Sequence, residues 1–161
     1  MPRQRGLSPP LDSPVTVILM DSITPHPHPL PQPDALTQPF WDAARTGRLV
    51  AQRCGSCGYY NHPAKPLCDR CSSRELSFQP LSGRGTVYSF TVMRQRNVAG
   101  FEQDVPYANL LVELEEQPLL FMISRLPGSE AEGIAIGQPV AVFFEPADDG
   151  FALPQFRPIA G

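Results

Sequence analysis

The sequence has few side chains suited to catalysis and no hydrophobic run long enough to cross a membrane. Its 161 residues include three histidines, and only His62 lies outside the proline-rich N-terminal stretch. No apolar run approaches the roughly 18 residues of a membrane-spanning helix. The run from Val15 to Met20 is too short for the core of a usual secretory signal. We therefore expect no membrane span, and we find no nucleophile–base pair for an independent active site.

Charge is also sparse, whereas proline is abundant. Charged residues make up 18% of the chain, the net charge is -3, and ten of the 20 prolines fall within the first 39 residues. Proline lacks an amide donor and fixes φ, so this stretch cannot form a helix or a central strand. The sequence predicts a disordered or polyproline-II tail over residues 1–33, in which Met20 is an alternative start to Met1.

All four cysteines fall into two Cys-X-X-Cys pairs, with ten residues between the pairs. Four thiolates at this spacing can surround one zinc ion as a tetrahedron. A site with four protein ligands has no open position for water or substrate, so the metal is expected to stabilise the fold. The sequence therefore predicts a zinc ribbon with one structural Zn²⁺ ion, bound by Cys54, Cys57, Cys68 and Cys71.

Other roles for these side chains fit the pattern less well. Disulfide bonds need an oxidising compartment, and no secretory signal is visible. A thioredoxin-like dithiol needs a single pair at the start of a helix. His62 lies between the pairs and reads as a loop histidine and not a ligand. His26 and His28 could bind a surface metal, but in a flexible tail we expect them to bind none. Because thiolates persist in a reducing compartment, we expect a cytoplasmic protein.

The rest of the chain predicts a mainly β fold with one short helix. Residues 34–47 read as a helix that Thr37 caps, and Trp41 on it packs either in the core or on a partner. Residues 49–53 and 75–79 read as ribbon strands. Five strand-like segments follow at 86–93, 107–115, 119–124, 140–145 and 151–156. We predict a helix plus zinc ribbon over 34–78 and a five-stranded OB-fold barrel over 79–161.

These segments together resemble a known family. Five segments carry the match over residues 34–160: the lead-in FWDAARTGRLVAQRC, the ribbon CGSCG…CDRC, the strand SGRGTVYSFTVM, the segment PYANLLVELE and the closing IAIGQPVAVFFE…FRP. The chain resembles the bacterial and archaeal acyl-CoA-associated OB-fold proteins with an N-terminal rubredoxin-like zinc ribbon, called domain-of-unknown-function family 35. It departs from the family's usual pattern at Gln138 and at Asn61 and His62, where apolar and aromatic residues are usual.

The resemblance implies a non-catalytic accessory subunit. Such a protein would bind a thiolase-superfamily enzyme (a thiolase, aldolase or acetyltransferase) or a hydratase, and it would scaffold or bind acyl-CoA. The phosphates of CoA require cationic donors, and arginine offers bidentate geometry. The candidates for these contacts are Arg84, Arg94 and Arg96 around the first barrel strand, with Arg53, Lys65, Arg70 and Arg74 on the ribbon. The loop at 97–107, which contains Phe101, could cover a ligand or a partner.

A second function remains open, because OB-folds and zinc ribbons also occur in proteins that bind single-stranded nucleic acid. Such binding depends on a basic groove with exposed aromatic side chains. Residues 79–161 hold five arginines against ten acidic residues, which argues against it. Two acidic pairs, Asp148-Asp149 and Glu115-Glu116, read as a turn and a solvated strand end and not as catalytic carboxylates.

Overall fold

The structure is a computed structural model that describes residues 28–159. The predictions about Met1, Met20, His26 and the run at 15–20 lie outside the described residues. So does most of the predicted tail. None of the described helices is long and apolar enough to cross a membrane.

The described chain forms one α-helix, eight strands and two short 3-10 turns, which confirms the predicted mainly β class. The helix α1 spans Gln38–Arg45, and the 3-10 turns span Gly128–Gly133 and Asp148–Gly150. The strands are β1 (Val50–Cys54), β2 (Tyr60–Asn61), β3 (Leu76–Pro80), β4 (Arg84–Met93), β5 (Tyr107–Leu114), β6 (Phe121–Pro127), β7 (Pro139–Pro146) and β8 (Ala152–Pro158).

Helix α1 is shorter than the predicted 34–47 because a separate turn precedes it. In that turn the Asp34 carboxylate accepts the backbone N–H groups of Leu36 and Thr37. Thr37 occupies the N-cap position as predicted, but its hydroxyl donates to the Asp34 carboxylate and makes no capping bond to α1. The helix buries Ala43 and Ala44, while Trp41 is half-buried.

The ribbon is a three-stranded antiparallel sheet in the order β2-β1-β3, and the barrel is a five-stranded sheet in the order β6-β5-β4-β7-β8. The predicted strand at 107–115 forms β5, in which the alternating residues Leu110, Val112 and Leu114 are buried in the barrel core. Gly85 lies where β4 passes very close to β5: a Cβ there would stand 2.5 Å from the carbonyl oxygen of Glu113.

A bulge in β4 changes the face on which one aromatic residue lies. Val87 pairs with Val112 and Ser89 pairs with Leu111, so Tyr88 is an extra residue on β4. Strict alternation would place Tyr88 on one face with Phe90 and Val92. Instead Val87 is buried with the core, and Tyr88 is 49% exposed.

The barrel closes between β6 and β8 through side chains, since no ladder pairs these two strands among those described. The Ser124 hydroxyl accepts the backbone N–H of Phe156 at 2.7 Å and donates to Oε1 of Gln155 at 3.0 Å. The same Gln155 oxygen accepts the backbone N–H of Arg125 at 2.7 Å. Two side chains therefore supply the hydrogen bonds that a strand ladder would otherwise make.

Candidate metal centre and apolar groove

The four cysteine sulfurs lie together, at spacings that suit a metal ion. The Sγ atoms of Cys54 and Cys71 are 3.6 Å apart, as are those of Cys57 and Cys68, and all four lie within 4.8 Å of one another. A tetrahedral zinc site with Zn–S bonds of about 2.3 Å has S···S edges of about 3.8 Å, whereas a disulfide has an S–S bond of about 2.05 Å. The cluster fits one Zn²⁺ ion with Cys54, Cys57, Cys68 and Cys71 as ligands.

The two Cys-X-X-Cys pairs fold into matching turns. In the first turn the N–H of Gly58 donates to the carbonyl of Cys54; in the second the N–H of Ser72 donates to the carbonyl of Cys68. Gly58 has a φ of 74° and Ser72 a φ of 58°, so both residues after the pairs adopt the left-handed conformation. Glycine adopts this conformation without strain, whereas serine does so at a cost. The turn geometry thus accounts for the glycine that follows the first pair.

The thiols interact strongly with one another. Burial acts to raise the pKa of Cys54, but the N–H groups of Cys57 and Ser56 and the thiol of Cys71 outweigh it and lower that pKa to about 6. The N–H of Ser73 acts to lower the pKa of Cys71, but the neighbouring sulfurs and burial raise it to about 12. Ionising one thiol therefore opposes ionising the next, and a divalent cation is the natural partner for four thiolates.

Two polar side chains to which the sequence analysis gave no structural role hold the second cysteine pair in place. Gln52 and Asn61 face each other across β1 and β2. Oε1 of Gln52 accepts the N–H of Lys65 at 2.7 Å, and Oδ1 of Asn61 accepts the N–H of Asp69 at 3.0 Å. Both side chains are buried, which fixes the loop that leads to Cys68. A polar residue on a strand gives no sign of such a role until its distant partner is known.

His62 is outside the sulfur cluster, as predicted. Its ring lies 5.4 Å from the ring of Phe40, and burial lowers its pKa to about 4. His62 is therefore uncharged at neutral pH and contributes an aromatic surface with hydrogen-bonding nitrogens.

The arginines predicted to contact CoA phosphates do not form one cluster. Arg84 begins β4, while Arg94 and Arg96 follow its last residue, so they lie at opposite ends of the ten-residue strand. Nε of Arg84 lies 3.0 Å from a carboxylate oxygen of Glu115, and Arg94 lies 3.8 Å from Glu132. Their assignment to CoA phosphates stays a prediction.

The loop at 97–107 packs against the start of the described chain. The Phe101 ring stacks on the His28 ring at 4.0 Å. His28 is buried; Nδ1 lies 2.7 Å from the carbonyl of Gly100, and Nε2 lies 2.9 Å from the Asp104 carboxylate. The same Asp104 oxygen accepts from Arg125 at 2.8 Å. Phe101 thus fixes residues of this chain to the barrel.

An apolar groove of about 500 Å³ lies where α1 and the ribbon meet the outer face of the barrel. Phe40, Trp41 and Phe78 form one side, and Leu111, Phe121 and Ile123 form the other. Its polar lining residues are Thr37, Gln52, Asn61 and His62, and among residues 28–159 no Arg, Lys, Asp or Glu lines it. The outer face of strands two and three is where OB-folds bind ligands, and the part of that face that lines the groove is apolar.

The comparisons with known proteins agree with this architecture. Residues 41–77 match the model of the ChsH2 rubredoxin-like zinc ribbon domain, and residues 78–145 match the ChsH2 C-terminal OB-fold domain. A DUF35 domain-containing scaffold protein of Pyrococcus furiosus is 35% identical over 118 residues, which cover 70% of this chain and 84% of that one. The chain belongs to the DUF35 family. The family resemblance and the zinc-ribbon and OB-fold architecture predicted from the sequence are confirmed.

Two further relatives are named as parts of acyl-CoA enzymes or aldolases. A chain of the Ltp2–ChsH2(DUF35) aldolase superposes with a TM-score of 0.71 at 34% identity, over 80% of this chain and 98% of that one. A probable enoyl-CoA hydratase alpha subunit of Thermomonospora curvata is 39% identical over 120 residues. The matched residues cover 74% of this chain but only 36% of the hydratase subunit, so this member of the DUF35 family corresponds to about a third of that relative.

Proposed function

We propose that this DUF35 protein is a non-catalytic accessory subunit of an acyl-CoA enzyme. Its partner would be an aldolase or thiolase of the thiolase superfamily, or a hydratase, and it would scaffold that enzyme or help it bind acyl-CoA. The observation that carries the proposal is the match to the DUF35 chain of the Ltp2–ChsH2(DUF35) aldolase, which this chain covers almost completely.

The chemistry of the described residues supports a role without catalysis. All four cysteines are taken up by a site with no open coordination position. Of the two described histidines, His62 is a weak base with a pKa of about 4, and His28 is engaged with Asp104. Because structural thiolates need a reducing environment, we also propose a cytoplasmic location.

Co-expression with the acyl-CoA enzyme encoded beside it tests the proposal. The tagged protein should co-purify with that enzyme at a fixed stoichiometry in size-exclusion chromatography with light scattering. The enzyme should need the complex for full activity, and the DUF35 protein alone should turn over no acyl-CoA. A tagged protein that elutes alone beside a fully active enzyme would contradict the proposal.

Binding of single-stranded nucleic acid is the competing function, and the structure gives it little support. The exposed ring of Tyr88 and the half-buried ring of Phe121, 4.8 Å apart, could stack on bases. However, Arg125, which follows Phe121 on β6, is paired with Asp104 and Glu145. Fluorescence anisotropy with a labelled single-stranded oligonucleotide should therefore show no salt-dependent binding in the micromolar range.

A further inference from the structure

The apolar groove between α1, the ribbon and the barrel has the size and lining of a ligand site. Its volume of about 500 Å³ lies within the ~300–1,000 Å³ typical of small-molecule pockets. Its walls are aromatic and aliphatic, with a few polar groups. We propose that this groove binds the uncharged acyl thioester end of an acyl-CoA: an apolar chain with its carbonyl group. The inference rests on the proposed function, and it identifies the part of the substrate that this subunit would hold.

The absence of charge in the groove selects for an uncharged occupant. Within the part of the chain that the structure describes, His62 is the one titratable side chain in the lining, and burial keeps it neutral. A carboxylate placed there would lose its hydration without gaining a cationic partner, which is costly. The groove therefore suits an acyl chain esterified to a thiol and disfavours the corresponding free acid. The phosphates of CoA would have to lie elsewhere.

One buried donor in the lining has no partner, and it suits a carbonyl oxygen. Asn61 is only 2% exposed, and its Nδ2 has no hydrogen-bond partner among the described residues. The orientation of the amide is fixed because Oδ1 accepts the N–H of Asp69. A buried donor left unpaired is unfavourable, so a ligand acceptor at this position would stabilise the complex.

The barrel side of the groove leaves apolar surface uncovered. Ile123 is 77% exposed on β6, opposite Leu111 on β5, and Phe121 lies two residues before it. Contiguous exposed apolar side chains typically mark a binding surface. An acyl chain lying along these residues would remove them from water while its carbonyl reached the ribbon side, where Asn61 lies.

The probe for this site is octanoyl-N-acetylcysteamine, a thioester that has an acyl chain and a carbonyl but no phosphate. Trp41 is the only tryptophan of the chain and lines the groove, so its emission reports occupancy directly. Titration of the purified, zinc-loaded protein should give a saturable change in Trp41 emission. Octanoate should bind at least about tenfold more weakly. Equal binding of octanoate and thioester, or no saturable binding of the thioester, would overturn the proposal.

A pair of exposed isoleucines provides matched variants. Ile123→Glu places a carboxylate in the groove, whereas Ile136→Glu makes the same change at a 69% exposed position outside the lining. Both side chains are on the surface, so both variants should fold and retain zinc. Ile123→Glu should weaken thioester binding more than about tenfold, and Ile136→Glu should leave it within about twofold. Unchanged binding by Ile123→Glu refutes the location of the site.

The donor is tested with the thioether S-octyl-N-acetylcysteamine, which lacks the carbonyl. The wild type should bind it roughly two- to tenfold more weakly than the thioester. Asn61→Asp keeps an acceptor for the N–H of Asp69 but loses the donor, so this variant should no longer prefer the thioester. A preference that persists in Asn61→Asp rules out the assigned contact.

The outcome is separable from that of the proposed function, because complex formation is measured independently by co-purification. Ile123→Glu that assembles normally with the acyl-CoA enzyme but no longer binds thioester supports the site. If the assembled enzyme instead blocks thioester binding and Ile123→Glu prevents assembly, the groove is a protein-docking surface and the proposal fails. Thioester binding by a protein that assembles with no enzyme would contradict only the proposed function.

Discussion

The barrel should depend on the hydroxyl of Ser124 more than on any surface serine. Ser124 is 2% exposed, and its hydroxyl joins β6 to β8 by accepting the N–H of Phe156 and donating to Gln155. Ser124→Ala removes both of these hydrogen bonds and leaves the buried N–H of Phe156 unsatisfied, which costs about 1–3 kcal/mol. We expect a loss of about 2 kcal/mol, or about 8 °C in Tm for a domain of this size.

Circular dichroism melts measure this loss, and hydrogen exchange at the Phe156 amide locates it. Between the wild type and Ser124→Ala, the exchange rate at the Phe156 amide should rise more than the rates at the core amides of β5, because the hydrogen bond that protects the Phe156 amide is gone. Ser89→Ala is the control, since Ser89 is exposed on β4 of the same barrel, and it should shift stability by no more than about 0.5 kcal/mol. If the two variants melt within 2 °C of each other (roughly 0.5 kcal/mol), the barrel does not close through Ser124.

Three further predictions concern the ribbon. Cys54→Ser should lose bound zinc, and its ribbon should unfold, because metal binding and folding of such modules are coupled. Atomic emission measures the zinc content, and full zinc content would disprove the four-ligand site. Ser72→Gly should raise the free energy of unfolding by about 0.5 kcal/mol, because a φ of 58° strains serine but not glycine. If urea melts show the variant to be less stable than the wild type, the turn is unstrained. Burial lowers the pKa of His62 from 6.5 to about 4, so the unfolded chain binds a proton between these pH values while the folded chain does not. Between pH 7 and pH 5 the free energy of unfolding of the wild type should therefore fall by about 2 kcal/mol more than that of His62→Phe. Equal decreases in denaturant titrations would contradict this.

The sequence alone predicts the metal centre because its signal is local. Each Cys-X-X-Cys pair closes its own turn through hydrogen bonds between residues four or five apart, as Gly58 and Ser72 show. The strand β5 is predictable for the same reason, since alternation along one segment places Leu110, Val112 and Leu114 on one face. A bulge breaks that regularity in β4, and no pattern within the strand reveals that Tyr88 turns outward.

Spacing and periodicity over short stretches of chain thus predict the four cysteine ligands, the family and the five barrel strands, whereas the short ribbon strand β2 was not predicted. Three features depend on tertiary packing: the closure of the barrel, the separation of the arginines and the position of the apolar groove. Ser124 and Gln155 lie 31 residues apart. The groove joins a helix, a ribbon and the barrel. Contacts between such distant segments depend on how the elements pack together, and no local pattern records that packing.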